Sequence, residues 1–268
     1  MYIKPKKSLG QNFLIDKNIQ NKIIRSCGLT EEDIVLEIGA GRGDLTKQLA
    51  QNAHKVYALE IDQRLYPYLE QALIVNDNVQ IIKADILKFD IDKFLQENQI
   101  KRKIKVIGNI PYYISSPIIE HLIEHRQTIS AAFMTVQKEF GCRARAAAGS
   151  KEYGSFSCFV QYYCECRILF EIKKNSFRPS PNVDSCFLSL KFREKPAVCV
   201  RNEKMFFKLI RTAFNQRRKT LRNSLEGLVA QERLKDFFQV SGINDNLRPE
   251  DLSLEQFADL SNYLNPRS

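Results

Sequence analysis

Short apolar runs alternate with longer stretches of helical period over roughly the first 140 residues. The runs at 34–38, 56–60, 79–82, 104–108 and 131–136 are rich in Ile, Val and Ala and read as buried strands. Intervening stretches such as 44–52 and 117–125 repeat their apolar residues at helical spacing. This β/α alternation predicts a parallel sheet with helices on both faces. Two later runs, 167–172 and 186–192, have no helix between them. They predict an antiparallel addition at one sheet edge. Residues 193–204, REKPAVCVRNEK, are polar, contain a proline and read as a linker. Beyond them Phe206, Phe207, Ile210 and Phe214 share one side of a helix, and Leu221, Leu225 and Leu228 continue an apolar face. The pattern therefore divides the chain into an α/β domain at 1–192, a linker at 193–204 and a small all-helical domain of three or four helices at 205–268.

Composition narrows the function classes. A chain that is 44% hydrophobic and 27% charged supports an ordinary core and argues against disorder. There is no apolar run of membrane-spanning length, so no membrane partner is expected. The basic start, MYIKPKKSLGQNF, lacks the apolar stretch of a secretory signal. The seven scattered cysteines read as reduced core thiols, and the expected location is cytoplasmic. Cys164 and Cys166 have no further ligands at zinc spacing, so no metal is expected there. The net charge of +10 favours a polyanionic partner. Between 204 and 222 the chain carries seven basic side chains and no acidic one. A stripe of one sign reads as a phosphate-contacting surface, with Arg217, Arg218, Lys219 and Arg222 as its candidates.

Candidate chemistry follows four successive strands. In IVLEIGAGRGDLT, residues 34–46, a strand runs into Gly39, Gly41 and Gly43 and then a helix. Such a turn suits a nucleoside cofactor. The third glycine comes one residue earlier than in the dinucleotide fingerprint, which disfavours an NAD-dependent dehydrogenase, and there is no phosphate loop for ATP hydrolysis. Glu60 ends the second strand, where a carboxylate can accept from both ribose hydroxyls or simply face solvent. Asp85 follows the third, where it can meet an adenine amino group or cap a helix. The fourth ends in Asn109-Ile110-Pro111-Tyr112. The Asn109 side-chain oxygen and the Ile110 carbonyl can accept both hydrogens of an exocyclic amine, while Tyr112 stacks on the base. All four positions fall at the carboxyl edge of the sheet, in one crevice.

These pieces, with KSLGQNFLID at 7–16, ALEID at 58–62, KADIL at 83–87, GNIPYYISSPI at 108–118, VQKEF at 136–140, FRPSPNVDS at 177–185 and RRKTLRNSL at 217–225, span nearly the whole chain. Together they resemble the rRNA adenine N6,N6-dimethyltransferase family of the KsgA type. The resemblance implies a class I, Rossmann-like methyltransferase fold with a mainly parallel seven-stranded sheet. It implies S-adenosyl-L-methionine as cofactor, held by Asn12, Leu14, Gly39, Gly41, Glu60, Asp85 and Asn109. Asn12 and Leu14 would come from an N-terminal arm that closes over it, and Lys4, Lys6 and Lys7 would add phosphate contacts. Tyr112 and Phe177 would stack on the two faces of an extruded adenine, with Tyr113 as a further lining residue. The implied reaction dimethylates two adjacent adenines near the 3′ end of small-subunit rRNA in a 30S precursor, by a monomer. An Erm-type enzyme acting on large-subunit rRNA and a non-catalytic rRNA-binding assembly factor are the alternatives. His121, Glu124 and His125 match a zinc-protease pattern but have no third ligand assigned, and they read as ordinary helix residues.

Overall fold

A computed structural model describes residues 5–6 and 9–265. The chain forms two compact units, Met1–Gly141 with Arg167–Phe192 and Cys142–Cys166 with Arg193–Ser268. In chain order the helices are α1 Lys17–Ser26, α2 Asp44–Ala50, α3 Tyr66–Leu73, α4 Ile91–Glu97, α5 Ser115–Glu124, α6 Lys138–Arg145, α7 Ser155–Tyr163, α8 Glu203–Asn215, α9 Leu221–Ser224, α10 Gln231–Ser241 and α11 Leu254–Leu264. The main strands are β1 Ile34–Ile38, β2 Lys55–Glu60, β3 Val79–Lys83, β4 Ile104–Asn109, β5 Ile129–Gln137, β6 Cys164–Ile172 and β7 Ser185–Phe192.

These seven strands form one sheet in the order β3-β2-β1-β4-β5-β7-β6. β1 to β5 run parallel, and β7 is antiparallel to β5. Every residue of β1 is buried, as expected for a central strand with helices on both faces. β6 alternates buried or half-buried with exposed positions, as an edge strand does. The first five strands lie within two residues of their sequence-based positions. The late addition lies at one sheet edge as expected, with β7 beside β5 and β6 outermost. The reason is apolar. Phe187 of β7 is fully buried and stacks between Phe133 of β5 and Phe170 of β6.

Strand order reverses between β1 and β4, which opens a crevice at their carboxyl ends. A second, two-stranded ladder sits beside it: Phe13–Leu14 of the N-terminal arm pairs antiparallel with Phe177–Arg178. Asp16 then caps α1 by accepting from the Asn18 and Ile19 backbones at 2.9 and 3.2 Å.

The second unit starts earlier than the sequence division at 192 placed it, because 142–166 belongs with the tail. Phe159 and Tyr162 of α7 pack on Phe206 and Phe207 of α8, with ring centroids 5.1 to 5.6 Å apart. Burying that aromatic ridge outweighs chain order. The 193–204 stretch is held to α7, since the Arg193 and Ala197 backbones donate to Tyr163 and Tyr162 carbonyls at 2.8 and 2.9 Å. Among the described residues the tail holds four α-helices, α8 to α11. Of the residues expected to face its core, Phe206, Phe207, Ile210, Phe214, Leu221 and Leu225 are buried and Leu228 is half-buried. Four of the seven cysteines are buried, whereas Cys199 is exposed. No helix among the described residues is long and apolar enough to cross a membrane.

Within the first unit, one residue couples strand packing to the crevice. Gly108 pairs with Ile38 across β1 and β4, and a methyl group there would lie 3.0 Å from the Ile38 carbonyl oxygen and 3.0 Å from Ile110 Cγ2. Gly108→Ala should cost about 1–3 kcal/mol of stability through this overpacking and displace the neighbouring Asn109. Thermal melting should show the first effect and cofactor affinity the second; an unchanged Tm would refute the close approach.

Candidate active site

The crevice of the first unit is a cavity lined by the ends of β1, β2 and β4, the residues after β3 and the arm from Leu9 to Phe13. Gly39, Gly41, Glu60, Asp85, Asn109, Ile110, Pro111 and Tyr112 all line it, as does Asn12. The sequence-predicted set is therefore largely brought together in space.

The glycine turn is fastened to β2. The backbones of Gly39 and Ala40 donate to the Leu59 carbonyl at 2.8 and 3.2 Å. Gly41 has φ +61, so a side chain there would be strained, and a Cβ on it would touch the Phe13 ring of the arm at 3.4 Å. Its N–H donates to Glu60 Oε2 at 2.8 Å. Glu60 Oε1 accepts from Ile61 and Asp62 backbones at 3.0 and 2.8 Å. Burial raises the Glu60 pKa, and these three backbone donors oppose the rise by favouring the ionised form. A carboxylate so fixed can still accept hydroxyl hydrogens through its remaining lone pairs. Asp85 caps the following 3-10 turn by accepting from the Leu87 backbone at 3.0 Å, and it also lines the cavity.

The arm is latched at two points. Gln11 donates to Asp62 Oδ2 at 2.9 Å. Asp62 is also bound by Arg64, whose hydrogen bonds are the main reason its carboxyl falls to about 2. At the second latch Asn109 Nδ2 donates to the Asn12 carbonyl at 2.9 Å. Only the amide nitrogen can make that bond, so the orientation of the Asn109 amide is fixed by chemistry, and Oδ1 remains to accept. Sequence reasoning missed Gln11 and Asp62, although Gln11 stands inside KSLGQNFLID beside Asn12 and Asp62 ends ALEID.

Two expected residues, Phe177 and Leu14, sit elsewhere, whereas Tyr113 lines the cavity as expected. Phe177 is 3% exposed, belongs to the hydrophobic core and does not line the cavity. Its pairing with Leu14 turns the ring into the packing beneath the arm, so the expectation of a second stacking face is corrected. Leu14 is buried in the same core and lines a smaller adjoining pocket with Glu37, Gly39 and Gly41. Tyr113 is 62% exposed at the cavity rim. Lys4 and Lys7 lie outside the described residues. His121 bonds the Phe89 carbonyl and His125 bonds Asp92, and no group of three potential metal ligands occurs among the described residues.

In the second unit Arg217, Arg218 and Lys219 are exposed and Arg222 is half-buried. Arg217 meets Glu250 and the Lys151 carbonyl, and Arg222 meets Gln231 and Asp245.

The family model for ribosomal RNA adenine dimethylases matches residues 3–266. The chain belongs to the ribosomal RNA adenine dimethylase family. It is 46% identical over 265 residues to the ribosomal RNA small subunit methyltransferase A of Bacillus pumilus, covering 97% of this chain and 91% of that protein. It is 44% identical over 265 residues to the protein of the same name in Enterococcus faecalis, covering 97% and 90%. Among solved structures it is similar to a dimethyladenosine transferase from Plasmodium falciparum, with TM-score 0.77, 27% identity and coverage of 92% and 95%. The 23S rRNA methyltransferase ErmE shares the fold, with TM-score 0.76, 24% identity and coverage of 95% and 100%. The fold is thus that of class I S-adenosyl-L-methionine-dependent methyltransferases, with a helical C-terminal part. In this dimethylase the glycine turn and the buried carboxylate of Glu60 fit the nucleoside of that cofactor.

Glu37, two residues before the turn, is 2% exposed, and burial pushes its carboxyl up to about 7, with the charge of Glu60 adding to the rise. Its ordinary value is 4.5, so between those values the unfolded chain releases a proton that the folded protein keeps. Stability contributed below pH 4.5 is lost as pH rises through about 7. The loss is on the order of 3 kcal/mol at about 1.4 kcal/mol per pH unit. Glu37→Gln should flatten this fall, so its Tm should gain on wild type from pH 5 to pH 8. Parallel Tm curves for the two proteins would contradict the assignment.

Proposed function

We propose that this chain transfers methyl groups from S-adenosyl-L-methionine to N6 of two adjacent adenines near the 3′ end of small-subunit rRNA, acting in small-subunit assembly. The observation that carries the reading is the Asn109 amide, turned by the Asn12 carbonyl so that Oδ1 is left for an amine beside the glycine turn and Glu60. Gly39, Gly41, Glu60 and Asp85 hold the cofactor's nucleoside, and Asn12 closes over it from the arm. Bound S-adenosyl-L-methionine supplies a methyl group on a sulfonium, an activated leaving group.

Adenine N6 is a weak nucleophile because its lone pair is delocalised into the ring. Asn109 Oδ1 and the Ile110 carbonyl accept its two hydrogens, orient the amine and favour a lone pair directed out of conjugation. Placement in line with the methyl then supplies much of the rate. The scheme needs no strong base, and the proton shed by N6 passes to water. Tyr112 stacks on the base, which must leave its helix to reach the cavity. Arg218 and Lys219, exposed in a one-sign stretch, contact phosphates.

The small-subunit choice is supported by the relatives named for that subunit at 44–46% identity, whereas the likeness to ErmE is one of fold. Purified small and large subunits incubated with labelled cofactor separate the two substrates. Label is expected in the small subunit, and label entering only the large one would reject the reading. Asn109→Ala should lower turnover by about 10²–10³-fold with rRNA binding kept. Loss of binding alongside turnover would make Asn109 structural instead.

Replacing Arg218 and Lys219 by Gln should weaken rRNA binding and reduce its salt dependence, by about one unit of slope for each phosphate that is no longer neutralised. An unchanged slope would place the RNA surface elsewhere.

A further inference from the structure

The Tyr112 hydroxyl meets the Ser185 hydroxyl at 2.5 Å. Ser185 is fully buried and opens β7, opposite Gln137 at the end of β5. β5 pairs in turn with β4 through Thr135 and Asn109. The tip of the Tyr112 ring is therefore tied, across β5, to the sheet whose β4 presents Asn109. We propose that Ser185 is a positioning residue for methyl transfer, fixing the tilt of the Tyr112 ring as a platform for the target adenine. This rests on the stacking role proposed for Tyr112.

The need for such a tie is geometric. Tyr112 begins a single 3-10 turn after Pro111, three residues before α5, so no regular helix braces its side chain. A ring held only by packing can swing about two torsions. Base–aromatic stacking is realised only when the rings face each other. The reaction tolerates little misplacement of the amine against the methyl donor. Ser185 acts at the far end of the ring, where a hydrogen bond has most leverage on its tilt. The strand ladder keeps Ser185 itself still. Burial raises the Tyr112 pKa, so the phenol keeps its proton at neutral pH and the pair keeps a hydrogen to share.

The test is a cycle of Ser185→Ala, Tyr112→Phe and the double variant, assayed on small subunits with saturating cofactor. Each single change removes the same bond while keeping the aromatic ring itself. Each should lower kcat about fivefold, the factor that a hydrogen bond worth about 1 kcal/mol represents. KM for S-adenosyl-L-methionine should stay unchanged, and the double variant should be no slower than the slower single one. Ser185→Thr, which keeps the hydroxyl, should recover most of the rate.

Wild-type kcat in Ser185→Ala, or losses that multiply in the double variant, would overturn the proposal. So would a lowered Tm with kcat intact, which is what a purely structural serine would give. Tyr112→Ala separates the role of the serine from that of the ring. If it loses activity while Ser185→Ala does not, Ser185 is idle. If it keeps activity, the platform reading itself fails.

Discussion

One hydrogen bond organises the candidate active site: the Asn109 amide nitrogen donating to the Asn12 carbonyl at 2.9 Å. An asparagine amide has a donor end and an acceptor end, and committing the first to the arm assigns the second to the cavity. The bond also joins residues 97 positions apart, so the chemistry at the end of β4 is complete only when the N-terminal arm is in place. Arm and site are one device. The ladder of Phe13–Leu14 with Phe177–Arg178, and the donation of the Ile15 backbone to the Ser176 carbonyl at 2.9 Å, hold the arm where that bond can form.

The cofactor side depends on the same logic of mutual constraint. Glu60 holds the glycine turn through the Gly41 N–H, and that turn backs onto the Phe13 ring of the arm. Asp62, two residues on, holds Gln11. Buried carboxylates are costly unless backbone or charged donors satisfy them, and both of these are so satisfied. Glu37 is the contrasting case, a buried acid whose Oε2 finds no hydrogen-bond partner among the described residues.

The strands, the crevice and most of its residues were legible in the sequence, because buried parallel strands are continuous apolar runs and site residues follow their carboxyl ends. That Glu60, Asp85 and Asn109 line one crevice could be read from position alone. The fate of Phe177 could not: an aromatic in a proline-rich loop serves a core or a site equally well, and the partner that decided it, Leu14, lies more than 160 residues away. The grouping of 142–166 with the tail was hidden for the same reason, since Phe159 and Tyr162 look like any apolar helix face until Phe206 and Phe207 meet them. The latch between Gln11 and Asp62 is a pairing of two polar residues, each of which reads alone as solvated surface.

The most direct test of this account is a crystal structure of the protein with S-adenosyl-L-homocysteine and an RNA bearing the target adenines. Asn109 Oδ1 should lie about 2.9 Å from N6 of the extruded base, with Nδ2 still on the Asn12 carbonyl. An amide turned the other way, with its nitrogen toward the base, or an adenine seated outside the Asn109–Tyr112 corner, would contradict it.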